Sequence, residues 1–72
     1  LDQAIEQFRR ALSINARDAD AHCDLGVVLV RKGNIDDAIE EFRTALRLNP
    51  NLSLAREQLQ AALAQKAGSN PQ

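Results

Sequence analysis

The apolar side chains of two segments recur at the spacing of an amphipathic helix. In residues 1–12 they lie three or four positions apart, and residues 35–46 show the same arrangement. This spacing gathers apolar side chains on one side of a helix and leaves the other side polar. The pattern therefore predicts two amphipathic helices with a connecting stretch between them.

The connecting stretch contains the segment DLGVVLVRKGN, residues 24–34, whose apolar run includes three valines. A short apolar run fits a strand or a helix, and β-branched residues favour strands. Helical spacing nevertheless extends through four residues of this stretch, namely His22, Leu25, Gly26 and Leu29. Gly33 and Asn34 then form a typical helix end followed by a turn. A third helix is therefore the better prediction.

The two amphipathic segments are copies of one another. Residues 1–18, LDQAIEQFRRALSINARD, align with residues 35–52, IDDAIEEFRTALRLNPNL, so that Ala4 matches Ala38 at a spacing of 34 residues (38 − 4). A fixed period in this range is typical of stacked helical repeats, in which each unit buries its apolar face only against its neighbours. The sequence therefore predicts an all-α repeat fold.

The residues of one period also resemble a known family. The pattern His22-x-x-Leu25-Gly26-x-x-Leu29, followed by Ala38-x-x-x-Phe42-x-x-Ala45 and Pro50, is similar to that of the tetratricopeptide repeat. The resemblance implies four helices arranged as antiparallel hairpins in a right-handed superhelical solenoid. It divides the domain, residues 1–67, into the second helix of one repeat (1–18), a complete repeat (19–52) and a capping helix (53–67), and leaves residues 68–72 as a flexible tail.

The helix around residues 19–32 carries a second apolar stripe. Because each helical residue turns by about 100°, Cys23, Val27 and Val30 cluster roughly 120° away from the stripe of Leu25 and Leu29. In the resembling family this side of the first helix lines a concave inner surface. The resemblance implies a partner-binding groove of seven residues: Asp20, Cys23, Val27, Val30, Arg31, Ala61 and Ala64. The alternative interpretation is that the stripe packs inside its own domain.

The resemblance also narrows the kind of partner expected in this groove. Family members that grip a C-terminal carboxylate present Lys and Asn from the inner surface, whereas Cys23 and Val27 stand at the corresponding positions here. An apolar segment of a protein or peptide partner, helical or extended, is the better expectation.

Composition argues against several other functions. The net charge is −1 and the only aromatic residues are Phe8 and Phe42, which gives neither the positive field nor the stacking platforms of a nucleic-acid-binding protein. The longest apolar run is far shorter than a membrane span. A single cysteine forms no disulfide within the chain and favours a reducing compartment such as the cytoplasm.

No residue set predicts catalysis, a metal site or a cofactor site. His22 and Cys23 are adjacent, but consecutive helical residues point about 100° apart and do not form a nucleophile–base pair. The acidic residues 36, 37, 40 and 41 open a helix, where negative charge is favourable. Motifs of nucleotide-binding loops, serine hydrolases and zinc proteases are absent from the sequence.

Three functions follow as hypotheses. The first is a non-catalytic interaction module that binds a peptide or helix of a partner. The second is self-association as a homodimer or domain-swapped dimer, which would cover an apolar face formed by Ala4, Ile5, Phe8 and Leu12. The third is a recruiting arm excised from a larger enzyme, because the sequence begins in the middle of a repeat.

Overall fold

The computed structural model describes residues 1–68 and contains four α-helices. Helix α1 spans Asp2–Ile14, α2 spans Ala19–Lys32, α3 spans Ile35–Leu48 and α4 spans Ser53–Gly68. No strand occurs among these residues, so the predicted all-α fold and its number of helices are confirmed. Gly68, which the sequence analysis placed in a tail, ends α4, and the rest of that predicted tail lies outside the described residues.

The helix ends follow from local hydrogen bonds that the sequence supplies. The Asp18 side chain accepts a hydrogen bond of 3.1 Å from the amide of Ala21 and caps the start of α2. Gly33 ends α2 in the left-handed region, with a φ of 94°, which glycine adopts without the steric penalty of a Cβ. Its amide and that of Asn34 satisfy carbonyls of the last turn, and the chain then reverses into α3.

The turns before α2 and α4 are alike although one contains Ala16 and the other Pro50. Asn15 and Asn49 each accept a backbone hydrogen bond of 3.1 Å on the side chain, from the amides of Arg17 and Asn51 respectively. The first connection is therefore fixed by Asn15 without proline.

The helices pack in chain order, each against its neighbour, and α2 also touches α4. The largest fully buried side chains, Phe42, Leu25, Leu29 and Cys23, all belong to α2 and α3. The molecule measures 42 × 28 × 13 Å, so the helices form a thin slab with two broad faces. Among residues 1–68 no helix is long and apolar enough to span a lipid bilayer.

Candidate partner-binding surface

The structure divides the predicted groove residues of α2 between the surface and the core. Asp20 and Arg31 are exposed, while Val27 and Val30 are half-buried and pack partly against the core. Cys23 is only 1% exposed. The prediction that Cys23 lines an open groove is therefore wrong, because neighbouring helices cover its side chain. Burial, followed by the charges of Asp24 and Asp20, raises the pKa of this thiol and keeps it protonated.

The predicted groove residues of α4 lie at the surface. Ala61 and Ala64 are exposed, and in the 34-residue register they match Val27 and Val30. Helix α2 touches α4, so the two helices that carry the predicted groove residues are neighbours. Leu54 adds exposed apolar area on α4, since it is 47% exposed and matches Asp20 in the same register. The repeat register applied to Asp20 would have identified Leu54 from the sequence.

Asp24 is a further charged residue of this surface that the sequence pattern did not identify. This residue is exposed and lies one helical turn after Asp20, on the same side of α2. Partial desolvation, followed by the charges of Asp20 and Asp18, raises the pKa of the Asp24 carboxyl. One end of the surface is thus an acidic cluster, whereas Arg31 places a positive charge at the other end.

A concavity with a volume of about 250 Å³ lies between α3 and α4. It is lined by Asp36, Ile39, Glu40, Arg43, Leu63 and Lys66. Asp36 and Lys66 form an ion pair of 2.6 Å, and Asp2 and Lys32 form its counterpart of 2.5 Å between α1 and α2. This concavity therefore corresponds to the contact between α1 and α2, repeated 34 residues later between α3 and α4. Adding 34 to the residue numbers of the first contact would have predicted its lining.

The predicted self-association face on α1 is only partly covered. Ile5 is 9% exposed, whereas Ala4, Phe8 and Leu12 are half-buried. The matching residue of Phe8 in α3, Phe42, is completely buried because α2 packs over it. Apolar surface therefore remains accessible on α1.

His22 is held by two acceptors and does not face Cys23. Its Nδ1 lies 2.7 Å from Glu41 Oε1, and its Nε2 lies 2.9 Å from the carbonyl oxygen of Ala16. The imidazole thus links α2 to α3 and to the turn after α1, which is a structural role. In the part of the chain that the structure describes, no three metal-ligating side chains come together.

A comparison with protein families agrees with this arrangement. The family model described as "Tetratricopeptide repeat" matches residues 1–53, which include α1, α2 and α3. A search of curated proteins found no match to the chain.

Proposed function

The chain belongs to the tetratricopeptide repeat family, and from this premise we propose that it is a non-catalytic module that holds an apolar segment of a partner protein. Repeats of this family generally mediate protein–protein interactions. The segment would lie on the solvent-facing side of α2 and α4, which we call the α2–α4 surface: Asp20, Asp24, Val27, Val30, Arg31, Leu54, Ala61 and Ala64.

The accessible apolar area of this surface is the observation that carries the proposal. Val27 and Val30 on α2 are only half-buried, and Leu54 on α4 is 47% exposed. Charged side chains of α2 lie at the two ends of this area and Glu57 adds a carboxylate on α4, a mixture of apolar and charged groups that is common in protein-binding patches. The thiol of Cys23 is buried, and both ring nitrogens of His22 have partners within the fold. These two side chains therefore support a binding role rather than a catalytic one.

Substitution of Val27 tests the proposal. Peptides selected from a random displayed library against the wild-type chain should bind it, and Val27→Asp should weaken their binding at least tenfold in fluorescence anisotropy. The reason is that covering an unpaired carboxylate with an apolar segment costs more than the roughly 1–3 kcal/mol of an unpaired neutral polar group, and about 1.4 kcal/mol already corresponds to tenfold in affinity. Ile14→Asp is the matched control, because Ile14 is 88% exposed on α1. Unchanged binding by a Val27→Asp variant with wild-type helicity would refute the assignment of the surface.

A second candidate function is self-association through α1. Phe8 is half-buried, whereas Phe42 at the matching position is fully buried. A second copy that covered Phe8 would remove this difference, which favours self-association. Sedimentation velocity over a dilution series should then show a reversible homodimer or domain-swapped dimer, and Phe8→Glu should shift it to monomer. A wild-type chain that stays monomeric at every concentration would eliminate this candidate.

A further inference from the structure

We propose that the bound segment of the partner is apolar in its middle, carries a basic side chain at the end that lies over Asp20 and Asp24, and carries an acidic side chain at the end near Arg31. This inference rests on the proposed function of the α2–α4 surface. It specifies the chemistry of the partner, which the apolar area alone does not.

Charged and apolar side chains follow one another in a definite order along α2. Asp20 and Asp24 lie in the first half of the helix, the half-buried valines follow, and Arg31 lies in the last turn. Residues separated by three, four or seven positions share one side of a helix. The side chains on the solvent-facing side of α2 therefore change from negatively charged, through apolar, to positively charged along the helix.

Asp20, Asp24 and Arg31 also have no partner within the described part of the fold, which leaves all three available to a bound segment. Asp2 and Asp36 each pair with a lysine, and Glu41 contacts His22. Within residues 1–68 no ion pair or hydrogen bond involves the side chains of Asp20, Asp24 and Arg31. A partner with complementary charges would supply the missing contacts and would be oriented by them.

The carboxylates also repel one another. The charges of Asp20 and Asp18 contribute to the raised pKa of Asp24, after the larger effect of desolvation. A basic group placed over Asp20 and Asp24 would relieve this repulsion, whereas an acidic group would increase it.

Distance sets the length of the expected segment. Asp20 and Arg31 are separated by about 17 Å along the helix axis, from a rise of about 1.5 Å per residue. An extended chain covers that distance in roughly five residues at about 3.3 Å each. The charged side chains of an extended partner segment should therefore be separated by about four apolar residues.

The experiment uses synthetic peptides with blocked ends, each with four central residues of Leu and Val. Four peptides differ only in their two flanking residues. Two carry Lys at one end and Glu at the other, in opposite chain orders, a third carries Glu at both ends, and a fourth carries Gln at both ends. In low salt, the better of the two Lys–Glu peptides should bind the wild-type chain about tenfold more tightly than the Gln peptide, and the Glu–Glu peptide should bind more weakly than Gln. Salt should reduce these differences, because it screens exposed charges.

Two double variants with the same change in net charge test where the preference arises. In the variant Asp20→Asn with Asp24→Asn, the better Lys–Glu peptide should bind only about twofold more tightly than the Gln peptide. The affinity for the Gln peptide itself should be nearly unchanged. Glu6→Gln with Asp37→Asn, at exposed positions on α1 and α3, should preserve the advantage.

The outcomes separate this inference from the proposed function. If the Gln peptide binds wild type but not Val27→Asp, and charge makes no difference, the binding surface stands and the charge inference is overturned. Equal loss of the preference in both double variants would also overturn the charge inference. If none of the peptides binds the wild-type chain, both proposals are overturned.

Discussion

Gly26 allows the two central helices to approach one another. A Cβ placed on Gly26 would lie 2.6 Å from the ring of Phe42, and two further ring atoms would be within 2.9 Å. Such separations are far below ordinary van der Waals contact, so one helix would have to move or the ring would have to leave its position. The ring of Phe42 is therefore the reason why this crossing requires a residue without a side chain.

Gly26→Ala should therefore destabilise the fold by about 1–3 kcal/mol through overpacking. The two effects of this substitution act in opposite directions, because helix propensity by itself favours Ala over an interior Gly by about 1 kcal/mol. Urea unfolding followed by circular dichroism measures the change. Gly68→Ala is the control, since nothing lies within 4 Å of a Cβ at that position. Equal stability of wild type and Gly26→Ala would show that the helices separate at little cost.

Asp24 should cost the folded chain stability at neutral pH. Because its pKa is raised by folding, the native chain keeps this proton to a higher pH than the unfolded chain does. Stability is then greatest below the ordinary pKa of 3.8 and falls as pH rises through the raised folded value. Asp24→Asn should increase the thermal midpoint at pH 7, and the increase should disappear at a pH below 3.8.

Asp37→Asn provides the comparison for this pH dependence. Asp37 lies in the first turn of α3, where a negative charge is favourable, so its neutralisation should not raise the midpoint. An equal gain in both variants would indicate a general effect of net charge. A gain specific to Asp24 would fit a carboxylate that serves binding at the expense of stability.

At the scale of the helices, the repeat allowed most of the structure to be predicted. Matching residues such as Asn15 and Asn49 make matching turns, and Asp2 and Asp36 make matching ion pairs. Burial of Cys23 could not be predicted in the same way. A helical periodicity gives the direction in which a side chain points, but not how far the neighbouring helix extends over it.

Helix α4 differs from α2 at one decisive position, where Gln60 replaces Gly26. A helix like α3 packs its phenylalanine directly over that position, and the distances at Gly26 leave no space for a Cβ. Leu63, which matches the buried Leu29, is 39% exposed. The exposed side of α4 therefore has apolar surface but does not accept a phenylalanine-bearing helix in the geometry of α2 and α3.

Gln60→Gly should remove this obstacle. Helix α1 carries Phe8 in the position of Phe42, so α1 of one copy would then fit on α4 of another. Sedimentation velocity should show stronger association of Gln60→Gly than of wild type at equal concentration. Gln65→Gly is the control for the loss of helix propensity. Equal masses for Gln60→Gly and wild type would show that Gln60 is not the obstacle.

At the scale of the whole molecule, stability should be concentrated in the central hairpin. Helix α2 contacts the other three helices, whereas α1 packs on α2 and α4 packs mainly on α3. The sequence predicted this order of packing from the period alone. It also predicted an uncovered apolar face on α1, but it did not predict the exposure of α4, because exposure depends on what packs against a helix.

Hydrogen exchange should reveal this distribution. In stacked repeats, stability depends on contacts between neighbours, and local opening begins where those contacts are fewest. Amides in α2 and α3 should therefore exchange more slowly than those in α1 and α4, since the largest buried side chains belong to the central pair. Gly26→Ala should accelerate exchange in α2 and α3 and so bring their exchange rates closer to those of α1 and α4. Ile14→Asp should leave the exchange in α2 and α3 slower than in the outer helices. Uniform protection across the four helices would instead mean that the chain opens only as a single cooperative unit.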